Sequence, residues 1–327
     1  MEMREIGKTG LKVTPLGIGG APLGGLYNDV SQAQAFRTIR RALELGINFM
    51  DTAPLYGHGK SEGYFGDALA GVPRNSYVLS TKVGRLLRPS SRPNAGLFKN
   101  APMFDVYFDY SRDGILRSVE DSLRRLRLDR IDIALIHDPD NHWEQAIKEA
   151  YPALADLRSR GVVKAIGVGM NQWQMLARFA KEGDFDCFLL AGRYTLLDQS
   201  ALAELMPLCR ERNVSVIIGG PYNSGILASN LSTTVRYNYE AAPPEVVAQA
   251  RRIKAVCERH QVPMKAAALQ FCLAHPAVAA VIPGPRSVAE LEDNVNMANF
   301  PIPGTLWREL IEAGLIPKHA PVPGETV

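Results

Sequence analysis

Short apolar runs alternate with amphipathic stretches along this chain. The runs are 16–19, 47–50, 77–81, 131–136, 165–168, 187–190, 214–218 and 278–282. Each is only four to six residues long and nearly continuous in apolar character, as strands covered on both faces are. Between them lie stretches with helical spacing. Ser31 caps a helix expected to run to Leu45, with Phe36, Ile39, Ala42 and Leu43 on one face and Gly46 stopping it. Further helices are predicted at 61–70, 111–127, 143–160, 172–181 and 200–212. Two more are split by Pro263, one follows Ser287, and a short one covers 305–313. Residues 4–14 alternate loosely around Lys8-Thr9-Gly10 and read as a small hairpin.

Eight apolar runs, each followed by helix, predict an α/β fold: an eight-fold (β/α)8 TIM barrel with an N-terminal β-hairpin and an extra C-terminal helix. Barrels of this kind hold several hundred residues in one unit, so 1–327 is expected to be a single domain. Two stretches break the rhythm. Residues 84–110 show no clean period and contain Pro89, Pro93 and Pro102, four basic residues (Arg85, Arg88, Arg92, Lys99) and four aromatic ones. Such a loop is either a lid over a site or a solvated excursion, and the sequence leaves both open. A second irregular stretch follows Tyr222 and runs to Pro244.

Composition narrows the function classes. Apolar residues make up 46% of the chain and charged ones 22%, with a net charge of +3 spread among both signs. No basic stripe suggests a nucleic-acid partner, and no apolar run is long enough to predict a membrane span. The first ten residues carry charges of both signs and no apolar leader, which favours the cytoplasm. Cys187, Cys209, Cys257 and Cys272 form no C-x-x-C pair, and no histidine stands at zinc-ligand spacing, so no metal is expected. The cysteines read as small buried hydrophobes.

The candidate chemistry lies where strands end. In such barrels the residues after each strand line one mouth. Here those positions hold Asp51, Lys82, His137, Asn171, Arg193 and Arg286, with Tyr56 five residues beyond Asp51. Taken singly, Asp51 could cap a turn, Lys82 could be a solvated charge, and His137 could close a turn at Asp138-Pro139. Taken together on successive strands they suggest proton chemistry at one oxygen. A phenol has a pKa of about 10. A nearby ammonium would favour phenolate, a carboxylate would hold the ammonium, and an imidazole would orient the substrate oxygen. With a nicotinamide cofactor, the partner event at the attached carbon is hydride transfer.

The segments 46–62 (GINFMDTAPLYGHGKSE), Ser80-Thr81-Lys82, Leu135-Ile136-His137, Gly167 to Asn171, and Ile282 to Ser287 running on to Asn294 resemble the aldo-keto reductase family across nearly the whole chain. The resemblance implies a catalytic tetrad of Asp51, Tyr56, Lys82 and His137. In it Tyr56 is proton donor or acceptor, Lys82 its tuner, Asp51 the partner of Lys82 and His137 the orienter of substrate. It implies cofactor contacts at Gly20 and Ala21, at Asp51, and at Asn171 for the carboxamide. Gly219, Gly220, Pro221 and Gly225 follow the seventh strand, and Gly284, Arg286, Glu290, Asp293 and Asn294 surround the adenosine. Substrate contacts are expected from Tyr27, Tyr56, His137, Arg193 and Tyr222.

The chain departs from the family pattern at Met170, where a serine is usual, and at Ala191, where a glutamine is common. Gly219 and Gly220 stand where a stacking aromatic is common. At Glu290 a carboxylate replaces the usual Arg or Gln beside the 2′-phosphate of NADP, so NAD is expected, with NADP possible. The segments 191–197 and 219–227 resemble the sugar 1-dehydrogenase branch, near pyridoxal 4-dehydrogenase. They imply oxidation of an aldose of the L-fucose, D-arabinose or L-galactose type at C1 to the lactone. Pyridoxal oxidation and NADPH-dependent aldehyde or ketone reduction are the alternatives.

Overall fold

The computed structural model describes residues 2–232 and 234–324. Its main sheet has eight parallel strands in sequence order: Ile18–Gly19, Phe49–Asp51, Val78–Val83, Ile133–His137, Ala165–Met170, Cys187–Ala191, Ser215–Gly219 and Val278–Ile282. The last strand returns to the first. Leu16 bridges Val281 in parallel, Gly17 N donates to Val281 O, and Gly19 N donates to Pro283 O. The sheet is thus closed into a barrel with helices around it, and closure leaves no strand edge unpaired.

Side-chain alternation along the strands decides what faces the axis. Phe49, Val78, Ile133, Leu135, Leu189, Ile217 and Ala280 share an inner apolar cluster. Met50, Leu79, Ala134, Ile136, Leu190 and Ile218 belong to the outer one, against the helices. Stepping by two along each strand therefore turns Asp51, Lys82 and His137 inward at the C-terminal mouth. The same step turns Gly19, Ala191 and Gly219 inward on the other side, which leaves open space there. The opposite end is sealed. Arg4–Glu5 pairs antiparallel with Lys12–Val13, and the Ile6, Leu11 and Val13 side chains join the inner cluster. Fully burying each such side chain contributes about 1.5–3 kcal/mol.

The helices follow the sequence signals closely where a cap is present. Ser31, Ser111 and Ser287 each accept a backbone N–H three residues on, opening Gln32–Glu44, Arg112–Leu126 and Val288–Ala298. Gly304–Glu312 is the extra C-terminal helix. One predicted helix is broken: Trp143–Gln145 and Tyr151–Ser159 are joined by a π-turn at Ala146–Ala150. Pro152 has no N–H to give to an i−4 carbonyl, and a widened turn just before it absorbs the loss.

Residues 84–110 are regular at their two ends and irregular between 90 and 103. Arg85–Pro89 pairs antiparallel with Phe104–Phe108 to make a projecting hairpin arm. Its tip folds back to the loop after the first strand. Lys99 N donates to Gly25 O at 2.9 Å, and Tyr27 N donates to Leu97 O at 3.1 Å. The Phe98 ring comes to 6.3 Å from that of Tyr56, so the arm reaches over the mouth. Among the described residues no helix is long and apolar enough to cross a membrane.

Candidate active site

The four mouth residues meet. Lys82 Nζ donates to both Asp51 oxygens, at 2.7 and 3.0 Å, and to the Thr52 carbonyl at 2.9 Å. Both side chains are buried, Lys82 at 1% and Asp51 at 2% exposure, so this ion pair lies in low dielectric. Lys82 Nζ also lies 4.7 Å from the centre of the Tyr56 ring. The His137 ring stands perpendicular to that of Tyr56, with centroids 6.0 Å apart.

The electrostatics differ from the sequence expectation in one respect. Lys82 was to acidify the phenol. Its charge is instead spent on Asp51 and Thr52. Burial pushes the Tyr56 phenol well above the usual tyrosine value, and the nearby Asp51, Tyr239 and Asp138 raise it further, with Arg85 opposing. At neutral pH the phenol of the free protein is protonated. Burial, then the Arg85 and Lys82 charges, push His137 well below its usual value, so the imidazole is neutral. Burial also raises the Asp51 carboxyl, with Lys82 opposing.

A cleft of about 560 Å³ runs from Asp51 and Tyr56 to the start of the Val288–Ala298 helix. That size suits a small-molecule site. The sequence placed Gly20, Ala21, Asn171, Gly219, Gly220, Pro221, Gly225, Gly284, Arg286, Glu290 and Asn294 at a cofactor, and all of them line it. Tyr27 and Tyr222, expected at substrate, line it as well. Asp293 does not; it pairs with Lys265, which does. Arg193 and His137 are also outside the cleft wall, Arg193 being held by the Asn238 side chain at 2.7 Å and Gly192 O at 3.2 Å.

Asn171 Nδ2 donates to Ala191 O at 3.0 Å. Tyr222 OH donates to Asn294 Oδ1 at 2.8 Å, with Lys265 Nζ 5.3 Å from its ring centre. A Cβ on Gly220 would meet nothing nearer than 3.8 Å, so the floor there is bare backbone rather than a stacking ring. At the far end Glu290 accepts from Arg286 N at 2.8 Å and from Arg286 Nε at 3.0 Å. A helix N-terminus and one guanidinium would attract an anion, but Glu290 neutralises that guanidinium. The cleft fits a nicotinamide dinucleotide: long and glycine-floored, it has the proton-transfer group at one end and a helix N-terminus at the other.

Sequence reading did not single out two residues beside His137. Arg85 Nη2 donates to Asp138 Oδ2 at 2.7 Å, and the same oxygen is 3.5 Å from His137 Nε2. Tyr110 OH donates to the His137 carbonyl at 2.6 Å and lies 3.0 Å from that of Asp138. Arg85 was visible only as one of four basic residues in 84–110, and Asp138 only as part of a turn. Arg85, Asp138 and Tyr110 lie outside the cleft wall; Tyr239 and Lys265 are on it, and they carried no sequence signal. Among the described residues no group of three or more His, Cys, Asp or Glu could hold a metal ion. The four cysteines are buried and free.

Residues 15–313 match the family model described as the aldo/keto reductase family. The chain is 39% identical to pyridoxal 4-dehydrogenase of Microbacterium luteolum, over 96% of this chain and 98% of that one. It is 40% identical to D-threo-aldose 1-dehydrogenase of a Pseudomonas species, over 94% and 96%. Among solved structures, the holo form of aldo-keto reductase AKR11C1 from Bacillus halodurans superposes with a TM-score of 0.76, at 28% identity over 95% of this chain and 96% of that one.

Proposed function

The chain belongs to the aldo/keto reductase family, and from that premise we propose that residues 1–327 act as one barrel that oxidises the hemiacetal carbon of a cyclic aldose with NAD. The family makes it an NAD(P)-dependent oxidoreductase acting on small molecules. The sugar, of L-fucose, D-arabinose or L-galactose type, is the finer reading. It is supported by the 40% identity to D-threo-aldose 1-dehydrogenase and by 32% identity to L-galactose dehydrogenase of Arabidopsis thaliana, over 90% of this chain and 87% of that one. The reading of NAD over NADP rests on one observation: Glu290 binds the guanidinium that would otherwise receive a 2′-phosphate.

The cofactor would be held by Asn171, Tyr222, Arg286, Glu290 and Asn294, and when bound it accepts the hydride from C1. The protein's own groups handle the proton. Deprotonated Tyr56 takes the proton of the C1 hydroxyl as its oxygen becomes the lactone carbonyl. Neutral His137 donates a hydrogen bond to that oxygen and fixes its angle. The Lys82 ammonium, 4.7 Å from the centre of the phenol ring, is held there by Asp51, whose own charge disfavours the phenolate. The Phe98 tip excludes water from the reacting carbon.

Pyridoxal is the second reading, favoured by the 39% identity to pyridoxal 4-dehydrogenase. Its aldehyde, beside a hydroxymethyl group, also closes to a cyclic hemiacetal, so the chemistry would be the same. A substrate panel separates the readings: L-fucose, D-arabinose, L-galactose and pyridoxal with NAD or NADP, and simple aldehydes with NADPH, followed at the reduced-nicotinamide absorbance. Turnover of aldoses with NAD is expected. Turnover of pyridoxal alone, or of aldehydes with NADPH alone, would replace that reading.

A further inference from the structure

We propose that Arg85 and Asp138 form a hydroxyl-reading pair beside the reacting carbon, so that a preferred substrate carries a hydroxyl on the carbon next to the one oxidised. This deepens the aldose reading and rests on it. The observation is a shared oxygen: Asp138 Oδ2 accepts from Arg85 Nη2 at 2.7 Å and stands 3.5 Å from His137 Nε2. A substrate oxygen held by His137 is therefore next to this carboxylate. The two oxygens of a vicinal diol lie about one hydrogen-bond length apart, so the second reaches Asp138 when the first sits at His137.

The pair is built to stay in place. Asp138 has a left-handed backbone, φ +42°, which an aspartate adopts at some cost. That turn is pinned by Asp138 N donating to Gly169 O at 3.0 Å and by the Tyr110 hydroxyl between two carbonyls. Arg85 opens the hairpin arm, and its guanidinium lies 5.1 Å from the centre of the Phe108 ring, the residue it faces across the arm.

The pair also keeps capacity to spare. Arg85 Nε is buried with no hydrogen-bond partner. The two side chains are 18% and 23% exposed. The two charges act on the Tyr56 phenol in opposite directions, Asp138 raising its pKa and Arg85 lowering it. A carboxylate acceptor with a guanidinium donor beside it is the pairing that reads a hydroxyl, which both gives and takes a hydrogen bond.

The test compares D-arabinose with 2-deoxy-D-ribose, which lacks only the hydroxyl at C2, using NAD. The unaltered protein is expected to favour D-arabinose in kcat/KM by roughly ten- to a hundred-fold, the range for a hydrogen bond to a charged group. Asp138→Ala should bring that ratio to within a few-fold, with D-arabinose losing far more in kcat/KM than 2-deoxy-D-ribose. Asp138→Asn should fall between. Arg85→Met is the second variant, should the first not fold, and thermal stabilisation by NAD shows that each variant retains its cleft. Equal losses on both sugars with the ratio preserved would mean a structural role and overturn the proposal. If the unaltered protein oxidises pyridoxal but neither sugar, the aldose reading fails and carries the proposal with it. Aldose turnover with no preference between the two sugars overturns the proposal alone.

Discussion

Lys82 Nζ lies 2.7 Å from Asp51 Oδ2 and 4.7 Å from the centre of the Tyr56 ring, so the ammonium is bound to the carboxylate first and felt by the phenol second. Removing one member leaves an unpaired charge in a site almost sealed from water. Lys82→Met or Asp51→Leu alone should destabilise the protein by about 3–5 kcal/mol in urea unfolding. The double variant should recover much of that, since no buried charge remains. Single variants as stable as the parent would show that the pair is solvated in solution.

Proton transfer should carry the mark of a phenol that is hard to ionise. Its pKa is raised, so below it the reactive anion grows tenfold per pH unit. Sugar oxidation, as kcat/KM, is expected to climb with pH through neutrality without levelling off below about pH 10. Aldehyde reduction uses the protonated form and should be flat from pH 6 to pH 9 on that scale. Tyr56→Phe should lose at least about a hundred-fold in either direction. A plateau in oxidation near pH 7 would mean that Lys82 acidifies the phenol after all.

Cofactor choice should follow Glu290. Glu290→Gln weakens its hold on Arg286 and removes a negative charge from the end of the cleft. The NADP-to-NAD ratio of kcat/KM should rise by about ten-fold or more, from the worth of one charge-assisted hydrogen bond. An unchanged ratio would place the 2′-position elsewhere.

Stability against pH should report His275, away from the chemistry. Burial, then the Arg210 charge, push its pKa down to about 4. The folded form therefore keeps it neutral while the unfolded chain protonates below about 6.5. Its stabilising contribution is complete above that value and is lost as pH falls toward 4. Between pH 7 and pH 5 the loss should be about 2 kcal/mol by linkage, read by urea unfolding. His275→Gln should flatten that part of the profile.

The barrel was legible because strands buried on both faces leave short continuous apolar runs, and because Ser31, Ser111 and Ser287 mark helix starts with a side chain that caps them. Asp51, Lys82 and His137 were legible for the same reason: a charged or polar residue closing such a run marks a mouth. The arm at 85–108 was not. Arg85–Pro89 and Phe104–Phe108 bury no consistent face, so no two-residue period appears. The Arg85–Asp138 contact joins residues far apart in sequence, and no local pattern encodes it. Nor could residue types tell how Lys82 divides its charge between a carboxylate and a phenol; that depends on angles and burial.

Residues 15–19 hydrogen-bond to 281–283, and the cleft takes one wall from each of these regions. During translation the first strand therefore waits, with one edge open, until residues 278–283 have been made. Nucleotide capture must come after those residues have left the ribosome. A nascent chain stalled before Val278 would have neither a closed wall nor the adenosine end of its cleft, and would need shielding from other unfinished chains.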